Sequence, residues 1–183
     1  MKPIAVLDSC VLYPYHLRDF LIHLFVSGEL YRPRWSDDIH IEWTRNLKKN
    51  RPELDEEALK RTVYLMNRLP ETGIRKDKYE SLISECHLPD PNDNHVFAAA
   101  ISCQATYIVT FNLKDFPNTL LSKKGITSIH PDEFVSLFMD ASRDKIIQSL
   151  QQQVLSLKNP PMTMAQLKET LHNLGLKLSM KNL

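Results

Sequence analysis

Isolated carboxylates recur beside short apolar runs in this sequence. Asp8 closes Ile4-Ala5-Val6-Leu7-Asp8, and Glu42 follows Ile39-His40-Ile41. Asp90 and Asp93 frame Asp90-Pro91-Asn92-Asp93, and Asp115 lies just beyond Ile108-Val109-Thr110-Phe111-Asn112. Three or four acids brought together without His or Cys form a hard, all-oxygen donor set, the chemistry of Mg²⁺ or Mn²⁺ rather than zinc. Each acid also has a structural use: Asp8 as a turn residue, Glu42 as a solvated helix glutamate, Asp90 and Asp93 as N-cap and first-turn acids. Capping and metal binding are compatible, because a helix N-terminus keeps a carboxylate ionised.

A second group could handle phosphate. Arg45, Lys48, Lys49 and Arg51 crowd the end of the helix that carries Glu42, with Arg32 and Arg34 upstream. Such cations hold a nucleic-acid backbone, although Lys and Arg also suit a helix C-terminus for its dipole alone. His40, His87, His95 and His130 are dispersed and form no zinc pattern, so they read as surface or satisfied core residues. With four glycines in the chain and no Gly-x-Ser-x-Gly elbow, P-loop, dinucleotide and acyl-transfer chemistry are disfavoured.

The elements that must position these groups alternate. Residues 4–7 read as a buried parallel strand, followed by a helix with Leu17, Phe20, Leu21, Leu24 and Phe25 in phase and Gly28 at its C′ position. Ser36 caps a helix in which Ile39, Trp43 and Leu47 set the buried stripe, with Glu42 beside it. Asp55 caps a third helix, residues 78–86 read as a shorter one, and Asp90 with Pro91 at N1 starts the helix of Val96, Ala99, Ala100 and Cys103. Residues 107–111 and 126–129 read as strands, and Pro131 opens another helix. Strands alternating with helices predict a mainly parallel sheet covered on both faces, whose ligands bind beyond the strands' carboxyl ends, where Asp8 and the Asn112/Asp115 loop fall.

The 183-residue chain, 43% hydrophobic, is long enough for one well-buried core, and its net charge of +1 leaves any polyanion contact to a local patch. Three unpaired, widely spaced cysteines and the lack of an apolar run near the ~20 residues of a membrane span predict a soluble cytoplasmic protein. After Ser142 the composition becomes Gln- and Leu-rich and helical, Asn159-Pro160-Pro161 interrupts it, and Thr163 with Gln166 forms a capping box for a last helix ending near Gly175. We therefore expect a domain over 1–140 and a helical extension over 141–183.

Taken in order, Val6-Leu7-Asp8-Ser9-Cys10-Val11-Leu12, Glu42 with Trp43-Thr44-Arg45-Asn46-Leu47, Leu88-Pro89-Asp90-Pro91-Asn92-Asp93-Asn94-His95-Val96-Phe97-Ala98-Ala99-Ala100, and Ile108-Val109-Thr110-Phe111-Asn112-Leu113-Lys114-Asp115-Phe116 resemble a PIN-domain ribonuclease over about residues 3–140. His130-Pro131-Asp132-Glu133-Phe134 fits the family's last strand-to-helix entry, and the helical tail is similar to that of some VapC-type toxins.

The resemblance implies a three-layer α/β sandwich and metal-dependent cleavage of RNA. Asp8, Glu42 and Asp93 would be the catalytic and metal-binding acids, with Asp90 and Asp115 as further ligands. Asn112 stands where many members have the fourth acid. Arg45, Lys48, Lys49, Thr110 and Asn112 would contact substrate. An antitoxin protein and a homodimer are the implied partners. Asn112 also leaves room for the alternative of an inactive PIN-like module that binds RNA or protein. A haloacid-dehalogenase phosphatase would need a second Asp where Cys10 stands, and a phosphoacceptor receiver would need an acidic pair and a late Lys that do not appear in convincing form.

Overall fold

A computed structural model describes residues 2–183. Five short strands, β1 (Ile4–Leu7), β2 (Arg32–Ser36), β3 (Gly73–Ile74), β4 (Tyr107–Val109) and β5 (Thr127–Ile129), pair in parallel in the order β3-β2-β1-β4-β5. Helices α1 (Ser9–Leu12), α2 (Tyr15–Val26), α3 (Asp37–Asn50), α4 (Glu56–Asn67), α5 (Asn94–Ser102), α6 (Asn118–Leu121) and α7 (Pro131–Ser136) connect and cover them. Three more, α8 (Met139–Ser156), α9 (Met164–Asn173) and α10 (Lys177–Lys181), form the C-terminal part. The fold is the expected α/β sandwich. Among the described residues no helix is long and apolar enough to cross a membrane.

The register matters for chemistry. Ala5, Val6 and Leu7 of β1 pair with Tyr107, Ile108 and Val109 of β4, so one step further Asp8 and Thr110 leave the sheet side by side. The strand order reverses between β1 and β4, which makes that gap the crevice of an open parallel sheet.

Strand β2 was not anticipated, because Arg32-Pro33-Arg34 carries two cations and a proline instead of an apolar run. The proline is tolerated because β3 reaches only Trp35 and Ser36, leaving Pro33 paired on the β1 side alone. Strand β4 ends at Val109, before the expected Phe111, since Thr110 and Asn112 turn the chain out of the sheet. The predicted helix over 78–86 is instead a pair of 3₁₀ turns, Lys76–Lys78 and Glu80–Glu85. Between them the buried Tyr79 donates its hydroxyl to Asp38 Oδ2 at 2.8 Å, pinning the segment against α3.

Helix α3 is held in one rotation about its axis. Ser36 caps it, accepting from Ile39 N at 3.3 Å, and Ile39 and Trp43 are fully buried. Trp43 Nε1 donates to His40 Nδ1 (3.0 Å), while His40 Nε2 and Trp35 Nε1 both meet Asn67 Oδ1 (3.0 and 2.9 Å). Arg18 lies 4.6 Å over the Trp43 ring and donates to Leu12 O, and burial lowers its pKa to about 10. With Trp43 fixed, its neighbour Glu42 is aimed at the crevice.

The C-terminal helices are not a loosely attached tail. Ile146 and Leu150 of α8, Leu167 and Leu171 of α9, and Leu176 and Met180 belong to the same buried cluster as β1 and α2. Gly28 is not the left-handed cap its position suggests; Glu29 takes the positive φ instead. Glycine is needed there because a Cβ would stand 2.8 Å from Ser149 Oγ on α8. Gly175 does have positive φ (111°), and a Cβ there would meet Phe111 at 2.9 Å. The capping box of Thr163 and Gln166 forms as expected.

Asp132, 5% exposed at the start of α7, accepts from Leu178 N and Ser179 N, both at 2.8 Å, and so fastens α10. Replacing it with Ala leaves both N–H groups without their acceptor. Hydrogen bonds to charged groups contribute about 1.5–3 kcal/mol each. We expect Asp132→Ala to lower the denaturant midpoint by an amount equivalent to about 3–6 kcal/mol, measured by equilibrium unfolding.

Candidate metal centre

Asp8 follows the last residue of the central strand and is 4% exposed. Oδ1 accepts from Ser9 N at 2.6 Å, and Oδ2 accepts from Thr110 Oγ1 at 2.7 Å and from Cys10 Sγ at 3.1 Å. Thr110 is itself fixed, since its hydroxyl accepts from Asn112 N at 2.9 Å. Cys10 in turn accepts from Phe111 N at 3.3 Å, and burial and the Asp8 charge push its thiol up strongly, so it stays a protonated donor. Asp8 is thus held rigidly by groups from α1 and the β4 loop.

Glu42 enters from α3, half-buried, with Oε2 3.5 Å from His95 Nε2. Burial alone would raise its pKa, but the neighbouring His95 imidazole and Ser9, with the charge of Arg45, lower it on balance.

Asp90 and Asp93 part company. The α-helix begins at Asn94, preceded by one 3₁₀ turn over Pro91–Asp93 in which Asp90 is the N-cap, Pro91 follows it and Asp93 is the first-turn acid, as expected. Asp90 caps that turn, accepting from Asn92 N at 2.9 Å, whereas the Asp93 side chain makes no capping hydrogen bond. Capping therefore accounts for Asp90 and leaves Asp93 without a structural explanation.

One ligand oxygen from each of Asp90, Asp93 and Asp115 lies within 4.8 Å of the others. Asp115 accepts a hydrogen bond from Asn112 Nδ2, which orients it. Burial, then the charges of Asp8, Asp90, Glu42 and Asp115, raise the Asp93 pKa to about 7. Burial also raises Asp8, with Glu42's charge adding to it and its hydrogen bonds opposing it. Acids from four separate stretches therefore share one electrostatic site. Among the described residues no Lys or Arg forms an ion pair with Asp8, Asp90, Asp93 or Asp115. Concentrated negative charge on oxygen donors alone, without a protein cation, fits a hard divalent ion.

The substrate candidates divide. Thr110 is fully buried and spends its hydroxyl on Asp8 and Asn112 N, and Asn112 braces Asp115. Lys48 donates to Pro52 O and Leu54 O at 2.8 and 2.5 Å, closing the loop after α3. Arg45 and Lys49 remain exposed. Ser9, Cys10 and His95 are site groups that the sequence reading does not single out: Ser9 and Cys10 enter it only within the motif around Asp8, and His95 as a surface or satisfied core residue. The signal available was spacing, since Cys10 lies two residues after Asp8 and His95 two after Asp93.

A parallel α/β sheet with acids gathered at its central carboxyl edge defines the class, and comparison with known proteins gives the family. The PIN domain profile matches residues 5–114, and the chain belongs to the PIN-domain family. Residues 131–183 match the VapC50 C-terminal domain. A curated relative from Mycobacterium tuberculosis (strain ATCC 25618 / H37Rv), "Putative ribonuclease VapC50", is 41% identical over 59 residues, which are 30% of this chain and 35% of the relative. The match thus spans about a third of that relative's length. No solved structure matches the chain.

Proposed function

We propose that this protein is a metal-dependent endoribonuclease, the toxin of a type II toxin–antitoxin pair, working in the cytoplasm with Asp8, Glu42 and Asp93 as its principal catalytic acids. The observation that carries this reading is the meeting of carboxylates at the β1/β4 crevice, among which Asp8, Asp90, Asp93 and Asp115 have no Lys or Arg partner. Asp93, charged against its neighbours and free of any capping duty, is its clearest member. Asp90 and Asp115 complete the donor set.

A Mg²⁺ or Mn²⁺ ion held there would supply a Lewis acid for the phosphoryl oxygens and a more acidic water. The chain's own residues do the rest. Thr110, Cys10 and Ser9 N fix both Asp8 oxygens, so that carboxylate needs no reorganisation on binding. Asn112 steadies Asp115, and Arg45 and Lys49, exposed on the Glu42 helix, can hold flanking phosphates of a single-stranded RNA or loop. Lys48 would act through the loop it ties.

The printed name of the mycobacterial relative and the match of residues 131–183 to the VapC50 C-terminal domain support the toxin reading. A groove of about 610 Å³ between α3 and α4, lined by Ile41, Leu59, Val63 and Tyr64, supports a protein partner, either an antitoxin or a second copy. Ile41 and Tyr64 are each 58% exposed there. We regard 1–140 as the nuclease domain and 141–183 as an extension folded onto it. An inactive RNA- or protein-binding module is the weaker reading, because Asp8, Glu42 and Asp93 are all present.

The test is RNA cleavage by purified protein with Mn²⁺ or Mg²⁺, with EDTA, and in Asp8→Asn. Cleavage is expected with metal only, and the variant should lose at least ~100-fold while keeping its circular dichroism spectrum and melting behaviour. Cleavage that survives EDTA, or full activity in the variant, would overturn the proposal.

A further inference from the structure

Glu42 differs from the other acids in how it is held. Both Asp8 oxygens have close donors, but Glu42 Oε2 is buried and no hydrogen bond within normal distance reaches it. The nearest ring nitrogen is His95 Nε2 at 3.5 Å, from the first turn of α5. On its far side the same imidazole has a second buried orphan, Nδ1, also without a partner. A buried acceptor left facing a ring nitrogen across a slightly long gap is a contact poised to shorten, as catalytic hydrogen bonds often are before their ligand arrives.

The two orphans together choose the tautomer. An unpaired buried N–H is rarer in folded proteins than an unpaired buried lone pair. The imidazole that carries its hydrogen on Nε2 and leaves a lone pair on Nδ1 therefore suits the site better, and it makes His95 a donor to Glu42. Position adds to this. His95 lies two residues after Asp93 on the same backbone turn, so whatever places Asp93 also places the group that orients Glu42, although Glu42 comes from a different helix.

We infer that His95 is a positioning residue: its Nε2–H holds the Glu42 carboxylate toward Asp8 and Asp93, coupling α3 to the α5 turn and setting the affinity of the acid cluster for a divalent cation. This rests on the proposed metal centre and deepens it. Partners behind a ligating carboxylate typically matter ~10–100-fold in metal affinity or activity when removed.

The experiment is Mn²⁺ binding to the full chain by isothermal titration calorimetry, for the unmodified protein, Glu42→Gln, His95→Ala and His95→Gln. Alongside it, ¹⁵N–¹H correlation spectra of the metal-free protein report the His95 tautomer. His95→Ala is expected to bind Mn²⁺ ~10–100-fold more weakly, and His95→Gln, whose amide NH₂ can stand where Nε2 does, should restore most of the loss. The spectra should show Nε2–H, and this readout does not depend on any variant folding. Unchanged Mn²⁺ affinity in His95→Ala while Glu42→Gln is weakened overturns the positioning role and leaves the metal centre standing. An Nδ1–H tautomer, or no rescue by Gln in a folded variant, also overturns it. No Mn²⁺ binding by the unmodified protein overturns both proposals.

Discussion

Replacing Asp93 with asparagine should abolish RNA cleavage and at the same time raise the melting temperature of the metal-free protein at mildly alkaline pH. Both effects have one cause. Burial and the charges of Asp8, Asp90, Glu42 and Asp115 raise Asp93 from 3.8 to about 7 in the folded chain. Between those values the folded state binds more proton at Asp93 than the unfolded state, so the contribution of Asp93 to stability is greatest below about pH 4 and is lost as pH rises through 7. Burial raises Asp8 in the same direction.

Asparagine keeps the shape and removes the charge, so the decline between pH 4 and 7 should flatten in the variant. Adding Mn²⁺ should reverse the order. The unmodified protein gains by mass action, about 2.7 kcal/mol at a hundred times the dissociation constant, while the variant gains little. Thermal melts across pH, with and without Mn²⁺, measure all of this. A variant less stable than its parent at every pH would mean that Asp93 is structural.

Truncating the chain after residue 140 is expected to leave no stably folded fragment. Ile146, Leu150, Leu157, Leu167, Leu171, Leu176 and Met180 are each at most 9% exposed and belong to the common core. Burial of such a side chain is worth about 1.5–3 kcal/mol, and the apolar surface these seven cover would be laid bare in the fragment, a loss of the same order as the ~5–15 kcal/mol by which domains are stable. Truncation would also uncover the face of α2 on which α8 packs, where Ser149 Oγ and Gln153 Nε2 donate to His23 O and His16 O, and strip Asp132 of its α10 partners. The expected result is an aggregating or molten product by size-exclusion chromatography and near-ultraviolet circular dichroism. A sharp monomeric melt of residues 1–140 would show that the extension is dispensable for folding.

How much of this was legible beforehand varied with the kind of physics involved. Strand β1, helix α3 and the Thr163 cap follow from local rules that act within a few residues, so periodicity and capping revealed them. Strand β2 follows from no local rule: Pro33 and two arginines look unlike a strand, and only pairing with β1 makes them one. The acids were identifiable as residue types, and the family resemblance gathered them into one set without ranking Asp90 against Asp93. Their separate supports were not identifiable. Thr110 on Asp8 and His95 beside Glu42 are contacts between distant segments, set by sheet register and by the rotation of α3, while Asn112 on Asp115 is a local contact within one irregular loop that no helix or strand period marks. The same holds for Gly28, where the requirement is a close approach by Ser149 more than a hundred positions away and not a turn.

The central claim, that these acids form one metal centre, is tested most directly by a crystal of the protein soaked in Mn²⁺ and measured at a wavelength giving anomalous signal from manganese. A peak is expected in the crevice beyond β1 and β4, touching carboxylate oxygens of Asp8, Glu42 and Asp93, with Asp90 or Asp115 reaching it directly or through water. A well-diffracting soaked crystal with no peak there, or with manganese held elsewhere, would contradict it.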